Sequence, residues 1–464
     1  MKSLFIKDVV NHINDTVELY GWIDVRRDHG KLVFFDLRDF SAKLQAVVLP
    51  GDAELHAIAE TIRPEWVVKV TGVISLRPEK LQNANLPTGA VELQVKKIEV
   101  VSESLTPPFD VTTDGHDINE ELRLKYRYLD IRRPRLQHTL RLRSRILQHI
   151  RAFLVERGFI EVETPLLTKS TPEGSRDFVV PSRLHPGKFY ALPQSPQQYK
   201  QLLMVGGVER YFQIARALRD EDTRADRGLE HTQMDLEMSF VEQKDVMALI
   251  EELVVGIAEV AGKKITAQPF PRISYKDAME KYGADKFDAR TNKEDPDELA
   301  FSWVVDFPVF EKGEDGSWTY SHNPFTAPKP EDVERFMNGD DPGSLVSLQY
   351  DLVCNGYEAG GGGIRIHDPA VLTKVFETIG HPKEKIQEQF GHMLEAFTYG
   401  VPPHGGIALG LDRLMMLLTG EAAMREVTAF PLTGDGRDPM MQSPSDISDL
   451  QKKELFIKTD IPKS

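Results

Sequence analysis

Three groups of residues have the types and spacing to hold a phosphate chain and a cation. In LRDED, Arg219 and Glu221 leave the end of an expected strand, Tyr211–Leu218, two residues apart, so their side chains share a face. The guanidinium can fork a phosphate while the carboxylate accepts hydrogen bonds from an amine. The same pair also describes an ordinary surface ion pair. In YDLVCNGYEAGGGGIRIH, Asp351 and Glu358 can share Mg²⁺ on a polyphosphate, and Gly360–Gly363 let a ligand approach the backbone. A glycine-rich hairpin with solvated acids fits that segment as well. In HGGIALGLDRLMMLL, the strand Gly405–Gly410 runs into an apolar helix with Arg413 in its first turn, and such a junction offers unpaired amide N–H groups to an anion. Tight strand-on-helix packing asks for the same glycines. Neither Gly-x-Gly-x-x-Gly after a strand nor Gly-x-x-x-x-Gly-Lys-Ser/Thr occurs, so phosphate binding here depends on cations.

Holding these groups together requires a sheet. The expected strands Tyr211–Leu218, His231–Phe240, Leu345–Leu352 and Ile364–Ile366 alternate irregularly with helices, unlike a doubly wound fold. The pattern predicts an α+β architecture, a mostly antiparallel sheet flanked by helices. Before it comes a long amphipathic helix, Arg141–Arg157, with Leu142, Ile146, Ile150, Phe153 and Leu154 on one face and Gly158 at its end. The first hundred residues read as five strands (16–27, 31–37, 44–49, 65–76 and 91–101), with helical spacing only at 52–63. That order is the order of an OB-fold barrel, whose face commonly binds oligonucleotides. The expected domains are an N-terminal OB-fold at 1–106, a linker at 107–136 and a catalytic domain at 137–464.

The 464 residues are 41% hydrophobic and 28% charged, which excludes disordered, collagen-like and membrane-embedded classes. Charges interrupt the first apolar residues, so no secretory signal is expected, and the single Cys354 excludes an internal disulfide and a Cys-rich zinc site. Both point to the cytoplasm. The net charge of −15 argues against indiscriminate nucleic-acid binding. Yet Arg123–Arg145 carries nine Arg/Lys and one acid; taken alone, it reads most simply as a solvated linker and helix face.

Taken together, these segments resemble the class II aminoacyl-tRNA synthetases, specifically the bacterial-type aspartyl-tRNA synthetases. GFIEVETPLL (158–167), LRDED (218–222) and GLDR (410–413) are similar to the three class signatures. TPEGSRDF, QSPQQYKQLLM, HTQMDLEMSF, HNPFTAP and NGYEAGGGGIRIH match in the right order, and the resemblance covers most of 20–431. It implies ATP and Mg²⁺ as reactant and cofactor, L-aspartate and tRNA(Asp) as partners, and a homodimer. The resemblance puts Arg219 on the α-phosphate, Glu221 near adenine, Arg413 on the γ-phosphate, and Asp351 with Glu358 on the metal. Asp220, Gly228, His231, Gly410, Leu411 and Asp412 complete the implied ATP site. Lys200 and Arg365 are implied for the side-chain carboxylate of aspartate, and Glu173, Ser195, Gln197 and Asp235 for its ammonium, with His322 in a closing loop. In the barrel, Phe34 resembles a base-stacking aromatic, and Arg27 and Gln45 edge-reading residues; Phe34 as plain barrel core fits its alternation equally.

The chain departs from the family in two places. Only ARTNKEDPDELAFS separates Asp288 from Trp303, so the large domain usually inserted there, near 289–302, is missing. His231 replaces the aromatic that usually stacks on adenine, a smaller surface expected to affect ATP affinity. His29, in the turn between the first two strands, resembles the relaxed members that also charge tRNA(Asn), which an amidotransferase must then correct. An exposed turn residue is the plain alternative. Asparaginyl- or lysyl-tRNA synthetase, or a noncatalytic tRNA-binding relative, are the rival readings.

Overall fold

The computed structural model describes residues 4–171 and 174–460. Contacts divide the chain into residues 1–119 with 128–137, and residues 120–127 with 138–464. The first unit is a closed barrel of β1 (Thr16–Asp28), β2 (Val33–Arg38), β3 (Lys43–Val48), β4 (Val67–Leu76) and β5 (Val91–Ser102), ordered β1-β2-β3-β5-β4. Helix α1 (Ala53–Thr61) follows β3, its first turn capped by Asp52, which accepts a hydrogen bond from the Leu55 amide at 2.9 Å. This is the OB-fold that the sequence predicts. Period-two alternation sends Val33, Phe35 and Leu37 of β2 into the core with Leu44, Ala46 and Val48 of β3. Phe34 therefore lies outside that core, half-buried.

The basic segment differs from its expected solvated character. Arg123 is buried and pairs with both oxygens of Glu426 at 2.8 and 3.1 Å. Arg127, also buried, donates to the carbonyl oxygens of Arg425, Thr428 and Ala429. These acceptors cluster at the end of a short helix, Met424–Val427, whose last carbonyls have no partner within the helix. Arg133, fully buried, donates to Asp130 at 2.6 Å and to the Thr113 carbonyl oxygen at 2.9 Å. Sequence composition shows charge, but not the distant acceptors that let guanidinium groups go inside.

The second unit is built on an eight-stranded sheet. In chain order its strands are β6 (Ile160–Glu161), β7 (Arg210–Leu218), β8 (Glu230–Ser239), β9 (Arg272–Ser274), β10 (Phe301–Val305), β11 (Gln349–Cys354), β12 (Tyr357–Ile364) and β13 (His404–Gly410). They lie in the order β9-β10-β11-β12-β13-β8-β7-β6, and all pair antiparallel except the two edge pairs. One face is apolar: Met234, Leu236, Tyr350, Leu352, Ile407 and Leu409 pack with Leu142, Ile146 and Ile150 of α2 (Pro134–Glu156) and with a later helix, Gln243–Ala261. The opposite face carries the polar residues one position along, Gln233, Asp235, Glu237, Gln349 and Asp351.

β12 runs straight through the glycines that the sequence left open as a hairpin. The bulk of a side chain explains this face by face. A Cβ at Gly360 would come within 2.5 Å of the Leu409 side chain, and one at Gly362 within 2.7 Å of the Tyr350 ring, both on the apolar side. A Cβ at Gly361 would instead meet Asp351 and Glu358, and one at Gly363 would meet Thr326. Alternate glycines thus admit core side chains on one face and leave space on the other.

Candidate active site

A cavity of about 330 Å³ opens on the polar face of the sheet. β7 ends at its rim with Arg219, and β8 supplies His231, Gln233 and Asp235. Asp351 comes from β11, Glu358 and Gly361 from β12, and Arg365 from just beyond β12. Helix α3 (Gln197–Val205) contributes Gln197 and Lys200. Gly410 and Arg413 lie at the start of a helix, Leu411–Thr419, as the sequence predicts.

At the cavity floor four charged groups interlock. Lys200 Nζ lies 3.0 Å from Asp235 Oδ2 and 3.1 Å from Glu237 Oε2. Arg365 donates to Glu237 through Nε at 2.9 Å and Nη2 at 3.2 Å, which turns Nη1 away from Glu237. All four are at least 98 % buried. Burial alone raises a carboxyl pKa, but Arg365 and Lys200 win at Glu237 and bring it down to about 2. At Asp235 burial wins, and its pKa is raised. Asp235 Oδ1 has no hydrogen-bond partner. A buried acceptor left in this condition is costly unless a ligand donor reaches it.

The second acid pair is different. Gln349 Nε2 donates to Asp351 Oδ1 at 2.6 Å, whereas Oδ2 has no directed hydrogen bond and faces His322 Nε2 at 3.3 Å. Burial opposes charge on His322, yet Asp351 prevails and raises its pKa. Glu358 pairs with Lys286 at 2.8 Å, and Lys286 and Arg413 together hold its carboxyl below the ordinary value against burial. Gly361 lies between the two acids, its missing Cβ 3.0 Å from Asp351 Oδ1 and 3.3 Å from Glu358 Oε1. Two carboxylates, an orphaned oxygen and an empty side-chain position fit a hard divalent cation. A side chain at Gly361 would press on both carboxylates and close that position.

Also in the cavity lining, Arg413 donates through Nη1 to the Glu358 carbonyl oxygen at 2.7 Å, and its buried Nε has no partner. Arg219 makes one long bond, 3.4 Å from Nε to the Gln194 carbonyl oxygen. Glu221 accepts from the Ser175 hydroxyl and pairs with Arg227 at 3.0 Å. Burial and the nearby Arg219 push the His231 pKa down to about 4, so its ring is neutral near pH 7. Asp412 accepts from the Thr232 amide at 2.7 Å and from Arg143 of α2.

The structure gathers Ser195, Gln197, Lys200, Arg219, Glu221, Gly228, His231, Asp235, His322, Asp351, Glu358, Arg365, Gly410, Asp412 and Arg413 around one cavity. Asp220 and Leu411 are not in its lining: Asp220 turns toward Arg176 and Leu411 packs in the apolar core. Glu173 lies outside the described residues. Sequence reasoning missed Glu237, Lys286, Arg227 and Gln349. Glu237 had a usable signal, since it shares a strand face with Asp235, two residues away; Lys286 had none.

On the barrel, Arg27 stands opposite Phe34, and Asp36 opposite Gln45, which puts Phe34 and its neighbours on the outward face of β1, β2 and β3. Arg27 pairs with Asp36 at 2.7 Å and Gln45 donates to Glu92 at 2.9 Å. The exposed His29 ring meets the Phe34 ring edge-on at 5.7 Å.

Residues 119–434 match the family described as tRNA synthetases class II (D, K and N), and residues 17–101 match the OB-fold nucleic acid binding domain. An aspartate–tRNA(Asp/Asn) ligase of Syntrophomonas wolfei is 41% identical across 97% of both chains. An aspartate–tRNA ligase of Geobacillus kaustophilus is 39% identical across 97% of this chain and 98% of its own. The first alignment runs over 574 positions against 464 residues here, so a stretch of the relative has no counterpart in this chain. Among solved structures, asparaginyl-tRNA synthetase from Pyrococcus horikoshii with asparaginyl-adenylate superposes with a TM-score of 0.74 at 22% identity, covering 93% of this chain and 98% of that one. Aspartyl tRNA synthetase from Entamoeba histolytica gives 0.73 at 23%, covering 93% and 91%. With the signatures assembled on this fold and relatives matched nearly end to end, the chain belongs to the class II tRNA synthetases of the D, K and N group.

Proposed function

We propose that this chain activates L-aspartate with ATP and transfers it to tRNA. In the first step an oxygen of the aspartate α-carboxylate attacks the α-phosphorus, a P–O bond forms, and the bond to pyrophosphate breaks. In the second the terminal ribose hydroxyl attacks the adenylate carbonyl and AMP leaves. No covalent enzyme intermediate is needed, so the protein contributes positioning and charge neutralisation. Arg219 steadies the α-phosphate, and Arg413 the γ-phosphate. Glu221, Gly228 and His231 surround adenine, while Gly410 and Asp412 shape the strand-to-helix junction beneath ATP. Asp351 and Glu358 would hold Mg²⁺, which neutralises phosphate charge when bound.

The observation that carries this reading is a set of buried atoms without a directed hydrogen bond. Asp235 Oδ1 suits an ammonium, Asp351 Oδ2 a divalent cation and Arg413 Nε a phosphate. Ser195 and Gln197 surround the same ammonium, and His322 closes over the substrate. Lys200 and Arg365 hold the side-chain carboxylate, which offers two charged acceptors where an amide offers one neutral acceptor. ATP–pyrophosphate exchange should therefore proceed with aspartate and not with asparagine or lysine. Exchange with either of the others in its place rejects the assignment.

The barrel face with Arg27, Phe34 and Gln45 reads the anticodon, and His29 admits both tRNA(Asp) and tRNA(Asn), since imidazole can donate or accept. Charging both transcripts, then repeating with His29→Leu, should show the tRNA(Asn) reaction fall several-fold relative to tRNA(Asp). An unchanged ratio removes His29 as the determinant. An amidotransferase would then convert the misacylated product. Val155, Ile160, Leu166, Leu167 and Phe189, all exposed, are the surface a homodimer would cover. No helix among the described residues is long and apolar enough to cross a membrane, in keeping with the cytoplasmic site we assign.

A further inference from the structure

Behind Gln197 runs a buried chain of polar side chains that the reaction itself does not use. Gln197 opens α3 and lines the cavity. One turn on, Gln201 is fully buried, and its Oε1 accepts from Gln197 Nε2 at 2.9 Å. Gln201 Nε2 in turn lies 3.1 Å from His404 Nε2, and His404 Nδ1 lies 2.8 Å from the Pro402 carbonyl oxygen. His404 is fully buried at the start of β13.

The chain has only one consistent sense. A carbonyl oxygen cannot donate, so His404 Nδ1 carries the proton and bonds to Pro402. Burial holds the ring neutral by lowering its pKa, which leaves Nε2 as an acceptor. Gln201 must then turn its amino end to His404 and its oxygen to Gln197. Gln197 turns its amino end to that oxygen, giving it one of its two hydrogens, and the opposite end of the amide, Oε1, is an acceptor. Without the chain the Gln197 amide could rotate by half a turn and present N–H groups to the same place, where they would repel an ammonium.

We infer that His404, acting through Gln201, is a positioning residue that keeps the Gln197 carbonyl oxygen turned toward the ammonium group of the substrate. The inference rests on the aspartate reading and adds to it the device that fixes one acceptor, beside Asp235 Oδ1.

The test compares L-aspartate with succinate, the same four-carbon diacid without the ammonium. In pyrophosphate exchange, KM for aspartate and Ki for succinate are measured in wild type, Gln201→Met, and Gln201→Met combined with Gln197→Glu. Gln201→Met keeps a similar volume and removes both bonds. It should raise KM for aspartate about tenfold, the loss of one well-placed hydrogen bond to a charged group, with kcat, KM for ATP and Ki for succinate nearly unchanged. Gln197→Glu has an acceptor at either end and needs no orientation, so the double variant should recover most of the lost preference. Parallel weakening of aspartate and succinate would show a merely structural role and overturn the inference, as would an unchanged aspartate KM. Should Gln201→Met fail to fold, His404→Asn is measured in the same way, with the same outcomes deciding. If wild type supports no exchange with aspartate at all, the underlying reading falls. If it does and its preference over succinate survives the substitutions, only the relay falls.

Discussion

Arg219→Ala and Arg413→Ala should each reduce aspartate-dependent pyrophosphate exchange by about 10²- to 10³-fold or more, because in the proposed reaction each supplies a full positive charge to the phosphates. Arg219 is the cleaner of the two. Among the described residues its side chain makes one hydrogen bond, 3.4 Å to the Gln194 carbonyl oxygen, so little of the fold depends on the guanidinium. Arg413 also braces β12 through the Glu358 carbonyl oxygen at 2.7 Å, and its variant should show a small loss of stability besides. Circular dichroism and thermal melts establish that both variants fold. A folded variant exchanging at the wild-type rate would sink the phosphate roles.

The second large effect is on stability and comes from Glu237, fully buried between Lys200 and Arg365. Glu237→Leu leaves two buried cations facing Asp235 alone, and uncompensated buried charge typically costs about 3–5 kcal/mol. Urea denaturation should show a loss of that order. The pH dependence follows from linkage. The folded-state pKa of about 2 lies below the ordinary 4.5, so the unfolded chain binds more protons between them. Glu237 therefore contributes stability that is fully present above pH 4.5 and is lost as pH falls through about 2. In Glu237→Gln that contribution is absent at every pH, and the variant's stability should fall less steeply than wild type's across this interval. Equal slopes would mean that the carboxylate is not held by its two cations.

What could be read from sequence depended on how local the cause was. The barrel strands were legible because alternation is a property of neighbouring residues, and the structure moves their ends by no more than two positions. Arg219, Glu221 and Arg413 were legible because each sits where a strand meets a turn or helix. The direction of Phe34 was not, since adjacent Phe34 and Phe35 offer the same bulk and only the register against β1 and β3 decides which goes inside. The buried arginines at 123, 127 and 133 were misread because two of them find acceptors some three hundred residues away. The glycine run was left ambiguous for a related reason: whether β12 needs room is set by Tyr350, Leu409 and Asp351 on other strands. Lys286, in the loop after the helix Tyr275–Tyr282, becomes meaningful only beside Glu358.

The short link between that helix and β10 has an implication for how such chains can be altered. Arg290 folds back on Asp288 at 2.8 Å, Lys263 fastens Asp297 at 2.5 Å, and residues 291–294 between them are exposed. The two flanks also meet each other, since Arg290 Nη1 reaches the Asp295 carbonyl oxygen at 3.4 Å and the Thr291 amide reaches Glu298 at 3.3 Å. Closing a longer loop adds entropy only logarithmically with length, so lengthening this segment imposes little thermodynamic penalty on the sheet behind it. The exposed residues 291–294 are therefore a place where extra residues can be accommodated at little cost to the sheet.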